Sequence, residues 1–171
     1  MTASRDFSLA SLYAALDAHR QSRGLSWTQA VAEINRTSVR VSIHPISRST
    51  VTGMRSKTTV EADGVLQMLI WLNRTPESFV PGLDGNGGDT RWPAMLPHQI
   101  LRFDTAKLHR AIDVIRGERD LTWSQVAEEI GVGRAHVTHL AKGGRTAFPH
   151  VMRMVTWLGR PASDFMRVSE W

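Results

Sequence analysis

Apolar residues recur at helical spacing in several stretches of the chain, separated by short polar or glycine-containing breaks. Leu108, Ala111, Ile112 and Ile115 fall on one face of a helix predicted over about 104–118. Thr122-Trp123-Ser124-Gln125 follows as a capping box, the hydroxyl accepting from a first-turn N–H while the glutamine reaches back to the cap residue. It starts a short helix that ends near Gly131, a residue suited to the left-handed backbone of a helix end. The break Ile130-Gly131-Val132-Gly133 is immediate, and another helix is predicted from Arg134 to about Ala141. Ala127 permits close approach, Gly131 turns the chain, and Val137 and Leu140 seat the next helix on the core. Two short helices therefore cross steeply through a tight turn, a helix-turn-helix. Val151, Met154, Val155, Trp157 and Leu158 mark a fourth helix over about 148–158, and residues 162–166 a short fifth.

The same pattern occurs once before. Residues 7–34 align without a gap on 103–130 at an offset of 96, pairing Leu12 with Leu108, Asp17 with Asp113, Arg20 with Arg116 and Trp27 with Trp123. The match resumes at an offset of 86, where Arg48-Ser49-Thr50-Val51-Thr52 faces Arg134-Ala135-His136-Val137-Thr138 and Trp71-Leu72 faces Trp157-Leu158. Such self-similarity predicts a duplicated structural unit. In the first copy Ser26-Trp27-Thr28-Gln29 is the capping box, and its helix is expected to end near Asn35. The turn is then expanded over 35–46, with Val39, Val41 and Ile43 alternating with Arg40, Ser42 and His44 in an extended pattern. Ser47 caps a third helix over about 48–55, a fourth spans about 60–72, and Thr75-Pro76 opens a fifth. Pro81, Gly82, Gly85, Gly87, Gly88, Pro93 and Pro97 mark a linker, although Trp92, Met95 and Leu96 are too apolar for a purely solvated tether. The predicted fold is all-α: two tandem five-helix domains, 1–80 and 103–171, joined by a Pro/Gly-rich linker at 81–102.

With 171 residues, each unit is near the lower limit for an independent core, which suits a small helical bundle. The absence of cysteine excludes disulfides and thiolate metal sites. A polar N-terminus and the lack of any apolar run of about 20 residues predict a cytoplasmic protein with no membrane partner. The net charge of +5 matters chiefly through its placement. No acid lies between Glu33 and Glu61, where Arg36, Arg40, Arg48, Arg55 and Lys57 occur. None lies between Glu129 and Asp164, where Arg134, Lys142, Arg145, Arg153 and Arg160 occur with His136, His139 and His150. One such stretch is ordinary on a solvated face; two in register point to a polyanion-binding surface.

Residues 121–134, Leu-Thr-Trp-Ser-Gln-Val-Ala-Glu-Glu-Ile-Gly-Val-Gly-Arg, resemble the motif of the Cro/CI-type (XRE-like, lambda-repressor-like) helix-turn-helix regulators of bacteria and phages. Trp157-Leu158-Gly159 with Phe165 resembles that family's ending. The first copy is similar but has Val31 where the family prefers alanine and Asn35 where it prefers glycine. The resemblance implies a third helix in each copy that enters the DNA major groove, where each base pair shows a distinct donor–acceptor pattern. Base reading then falls to Arg48, Ser49 and Thr52 in one copy and to Arg134, Ala135, Thr138 and His139 in the other. Arg48 and Arg134 would each pair with a guanine. Thr28, Arg36, Arg40, Ser47, Arg55, Lys57, Ser124, Lys142 and Arg145 would contact phosphates, which position without specifying sequence.

The expected function is a sequence-specific double-stranded DNA-binding transcriptional regulator, most simply a repressor on an asymmetric operator, in the bacterial nucleoid. The alternative is a protein-binding module, such as an antitoxin or antiactivator, with a regulatory protein as partner. A homodimer using Trp171 and the apolar linker residues stays open. No gly-rich phosphate cradle, nucleophile elbow or paired-acid pocket argues for an enzyme, and no cofactor or small-molecule ligand is evident. Plainer roles accompany several of these residues. Trp27 and Trp123 suit packing at a helix start, and His136 and His139, although three apart, lack a third ligand nearby in sequence for zinc.

Overall fold

Five of the α-helices begin where the sequence supplies a side-chain cap. The Ser8 hydroxyl accepts from the Ser11 N–H and opens α1 (Leu9–Ser22), and the Asp104 carboxylate accepts from the Lys107 N–H and opens α5 (Thr105–Glu118). Both capping boxes form: Ser26 with Gln29 opens α2 (Trp27–Thr37), and Thr122 with Gln125 opens α6 (Trp123–Ile130). Ser47 caps α3 (Arg48–Gly53), which α4 (Ala62–Leu72) follows. In the second half α7 (Arg134–Thr138) runs into a 3₁₀ turn at His139–Lys142, and α8 (Phe148–Leu158) follows. Short 3₁₀ turns at Pro76–Phe79 and Ala162–Phe165 stand where a fifth helix was expected in each half. The structure, a computed structural model, describes residues 6–37, 45–83, 92–96 and 99–170. The extended pattern expected at 39–44, Arg40 with it, most of 81–91 and Trp171 lie outside these residues.

The duplication extends to individual contacts. Arg20 and Arg116 bond Asp17 and Asp113 and donate to the Leu25 and Leu121 carbonyls. Arg23 and Arg119 pair with Glu33 and Glu129, which also accept from the indole N–H of Trp71 and Trp157. Each half thus ties its first helix to its second, and the second to its fourth, in the same way.

The all-α, tandem-domain expectation is not met. Gln99–Phe103 forms strand β1 and Met166–Glu170 strand β2, an antiparallel pair in the register Gln99↔Glu170 to Phe103↔Met166. Most of β1 falls inside the stretch read as linker. Its apolar residues explain the difference: Leu101 is fully buried, Ile100 and Phe103 nearly so, and pairing with β2 satisfies the backbone that this burial removes from water. Trp92 and Met95 also pack on the core, while Leu96 is exposed.

Nor are the halves separate bodies. One continuous cluster of buried side chains runs from Phe7 through Val65, Leu69 and Leu108 to Phe165. At its centre the rings of Phe7 and Phe103 both meet Phe148, with centroids 4.6 and 5.6 Å away. Glu61 and Ala147 form an antiparallel bridge, in which the Ala62 N–H donates to Thr146 and the Phe148 N–H donates to Val60. Those residues are the repeat's own equivalents, 60–62 matching 146–148 at the offset of 86. An antiparallel bridge between equivalent residues defines a local two-fold axis, and α4 packs on its counterpart α8 beside it. The fold is a pair of similar halves fused back to back.

Candidate nucleic-acid interface

In the second half the Gly131 backbone adopts the left-handed conformation (φ 80°, ψ 36°), and its N–H donates to the Ala127 carbonyl at 2.9 Å. This ends α6, and two residues later α7 starts in a new direction. Val137 and Leu140 are fully buried and anchor α7 and its 3₁₀ extension to α5 and α6. The opposite side carries Arg134, Ala135 and His139, all exposed. Thr138 is half-buried, and its hydroxyl donates back to the Arg134 carbonyl at 3.2 Å. The His139 ring lies against Gly144, where a Cβ would come within 2.2 Å of it, so glycine there leaves room for the imidazole.

The first half makes the same corner differently. Asn35 does not end α2 in a left-handed turn; the helix continues to Thr37. Instead its amide donates to the Ile46 carbonyl at 3.0 Å and accepts from the Ile46 N–H at 2.9 Å. That two-point staple joins the ends of the longer connection and fixes where α3 begins. Val51 and Met54 are buried beneath it, with Arg48 and Ser49 exposed above and Thr52 half-buried, its hydroxyl donating to the Arg48 carbonyl. Arg48 and Arg134 thus occupy matching exposed positions at the start of matching short helices. Neither forms an ion pair among the described residues.

The predicted phosphate-contacting residues divide. Thr28, Arg36, Lys57, Ser124 and Lys142 are exposed, and the three cations among them form no ion pair among the described residues. Ser47 is exposed but its hydroxyl caps α3, within 2.9 Å of the Ser49 and Thr50 hydroxyls. The Arg55 guanidinium lies 5.7 Å over the Tyr13 ring. Arg145 pairs with Glu61 at 3.1 Å, on the two-fold axis. The acid-free stretches therefore overstate the free charge. Arg153 holds both carboxylate oxygens of Asp6 and the Gly131 carbonyl, and Arg160 holds Asp164.

Trp27 stacks on Tyr13 under Arg20, and Trp123 stacks on His109 under Arg116, which are packing arrangements. Hydrogen bonds from Arg23 and then Trp71 hold the Glu33 carboxyl below its ordinary range, and Arg119 and Trp157 do the same for Glu129. The frame behind α3 and α7 is thus ionic and duplicated. His136 turns toward His150, their rings 4.3 Å apart, and burial, His136 and Arg153 push the His150 pKa down. Among the described residues no group of three His, Asp or Glu side chains could hold a metal ion. No helix there is long and apolar enough to cross a membrane.

No family model, curated protein or solved structure matches this chain.

Proposed function

We propose that the chain binds double-stranded DNA sequence-specifically, in the cytoplasm, and acts as a transcriptional regulator, most simply a repressor. The observation that carries this reading is the local two-fold axis between Glu61 and Ala147. The halves that meet there carry α3 and α7, equivalent elements of the repeat, each with an exposed arginine at its start. Double-helical DNA has dyads of its own, and paired reading helices related by a two-fold fit half-sites in inverted orientation. Arg48 with Ser49 and Thr52 reads one half-site; Arg134 with Ala135, Thr138 and His139 reads the other. A guanine opposite each arginine accounts for what the half-sites share, and Ser49 against Ala135 for how they differ. Arg36, Lys57 and Lys142 neutralise phosphates. The resemblance of residues 121–134 to the Cro/CI motif supports the same reading. No step of it needs a cofactor.

Selection of bound fragments from random duplex DNA tests it. Wild type should recover an imperfect inverted repeat occupied by one chain. Arg48→Ala and Arg134→Ala should each weaken binding by ~1–3 kcal/mol, and each should relax preference in a different half. Affinity that ignores both substitutions would turn the reading toward a protein partner instead.

A further inference from the structure

Two histidines face each other between α7 and α8. The His136 ring centroid stands 4.3 Å from that of His150, with the ring planes tilted by 53°. His136 is exposed, on the same short helix as Arg134 and Ala135, and His150 is half-buried on α8. Among the described residues neither ring makes a hydrogen bond or an ion pair, and Nδ1 of His150 is buried with no partner. The repeat supplies an internal comparison. The equivalent residues in the first half are Thr50 and Gly64, so α3 has no such pair.

The charges around the rings offer them no free carboxylate. Arg153, one turn along α8 from His150, holds Asp6 and the Gly131 carbonyl. Glu61 and Arg145 line the cleft beside the rings and pair with each other at 3.1 Å. Burial first, then His136 and Arg153, hold the His150 pKa below its ordinary 6.5. A neutral imidazole protonated at Nε2 leaves only a lone pair at the buried Nδ1. An imidazolium puts an N–H there with no acceptor, and adds a charge beside Arg153. The sign follows: the contact's contribution is complete above pH 6.5 and is lost as pH falls below it.

We propose that His136 and His150 form a proton-operated switch in the second half alone: acid loosens the start of α7 from α8 and leaves α3 in place. Val137 and Leu140 remain buried and keep α7 and its extension seated, so the change is confined to the end that carries Arg134 and Ala135. The loosening stands without any function assigned to the chain. Its consequence for DNA rests on the function proposed above: acid relaxes sequence preference in the half-site read by α7 and spares the one read by α3. Added positive charge also attracts phosphates of any sequence, so preference, rather than total affinity, is the readout.

Magnetic-resonance titration of the histidine rings in the full chain, without DNA, tests the first step. His150 should titrate below 6.5, and His136→Thr, which installs the first half's residue, should raise it. Amide hydrogen exchange tests the second. Corrected for its intrinsic pH dependence, exchange at the start of α7 should quicken about tenfold between pH ~7.5 and ~5.5. That is the size expected of two like charges at this separation, between the limits for water and for a protein surface. Exchange in α3 should not quicken, nor should that of α7 in His136→Thr. His150→Gln removes the titrating group from the other side and should abolish the acid response equally. An unmoved His150 titration in His136→Thr, or a response of α7 that survives both substitutions or is matched by α3, would overturn the proposal. Selection of duplex DNA at the two pH values then tests the coupling. Relaxation of both half-sites alike would refute it, whereas a chain that binds no DNA at all removes the function and leaves the switch standing.

Discussion

Truncating Phe148 tests whether the two halves are one cooperative unit. Its side chain is fully buried, its ring meets Phe7 from the first half and Phe103 from β1, and its N–H donates across the axis to Val60 at 3.0 Å. Phe148→Ala removes a ring from a site that several elements enclose, so collapse is limited and the cost should be ~3–5 kcal/mol. Against a total stability of roughly 5–15 kcal/mol, that is a large fraction. With a urea slope near the upper part of the ~1–3 kcal/mol/M range, the midpoint should fall by roughly 1–2 M. Urea unfolding followed by tryptophan fluorescence and by far-ultraviolet circular dichroism measures it. Trp27 and Trp71 report on the first half, and Trp123 and Trp157 on the second. A shared core requires one transition, displaced equally for both sets of probes. Two transitions, with only the second half's displaced, would show independent domains and refute the reasoning.

Acid should act through the duplicated carboxylates. Glu33 and Glu129 have folded-state pKa values below the ordinary one, so their contribution is complete above pH ~4.5 and is lost as pH falls through the depressed values. The double change Glu33→Gln and Glu129→Gln should therefore flatten the acid limb of a melting-temperature profile and leave its shape above pH 6 unaltered. Gly131→Ala should lower stability by about 1–2 kcal/mol in denaturant titration, because alanine is strained at φ 80° although its Cβ would meet only the Arg153 side chain, at an ordinary 3.5 Å. Lys57→Ala and Lys142→Ala should each lower the salt slope of DNA binding by about one and weaken all sequences alike. A change of sequence preference in either lysine variant would assign it to base reading instead.

The helices were legible because their apolar residues are periodic and several carry their own start signal. Ser26 with Gln29 and Thr122 with Gln125 name their partners three residues away, and those hydrogen bonds form. The strands carried no comparable signal. Five residues at Gln99–Phe103 pair with five more than sixty positions later, too few for an alternating pattern to separate them from an apolar linker. The fusion was hidden for a related reason: Phe7 and Phe148 fit the core of their own half as well as a seam, and sequence periodicity does not distinguish the two. Asn35 reads as a helix end by residue type, but the distant Ile46 backbone holds it otherwise. At the candidate interface the exposed arginines were found from the repeat. The neutralisation of Arg145 by Glu61 and of Arg153 by Asp6 was not, since each partner lies far away in the chain.

The bridge between Glu61 and Ala147 has a consequence for how such a molecule can change. A homodimer of identical subunits must carry every substitution twice, so any improvement on one side is imposed on the other. Covalent fusion lifts that constraint while retaining the paired geometry. A single codon can alter Ser49 without touching Ala135, or Gln67 without touching Arg153. Symmetry in this chain is an inheritance from duplication that either side is free to abandon.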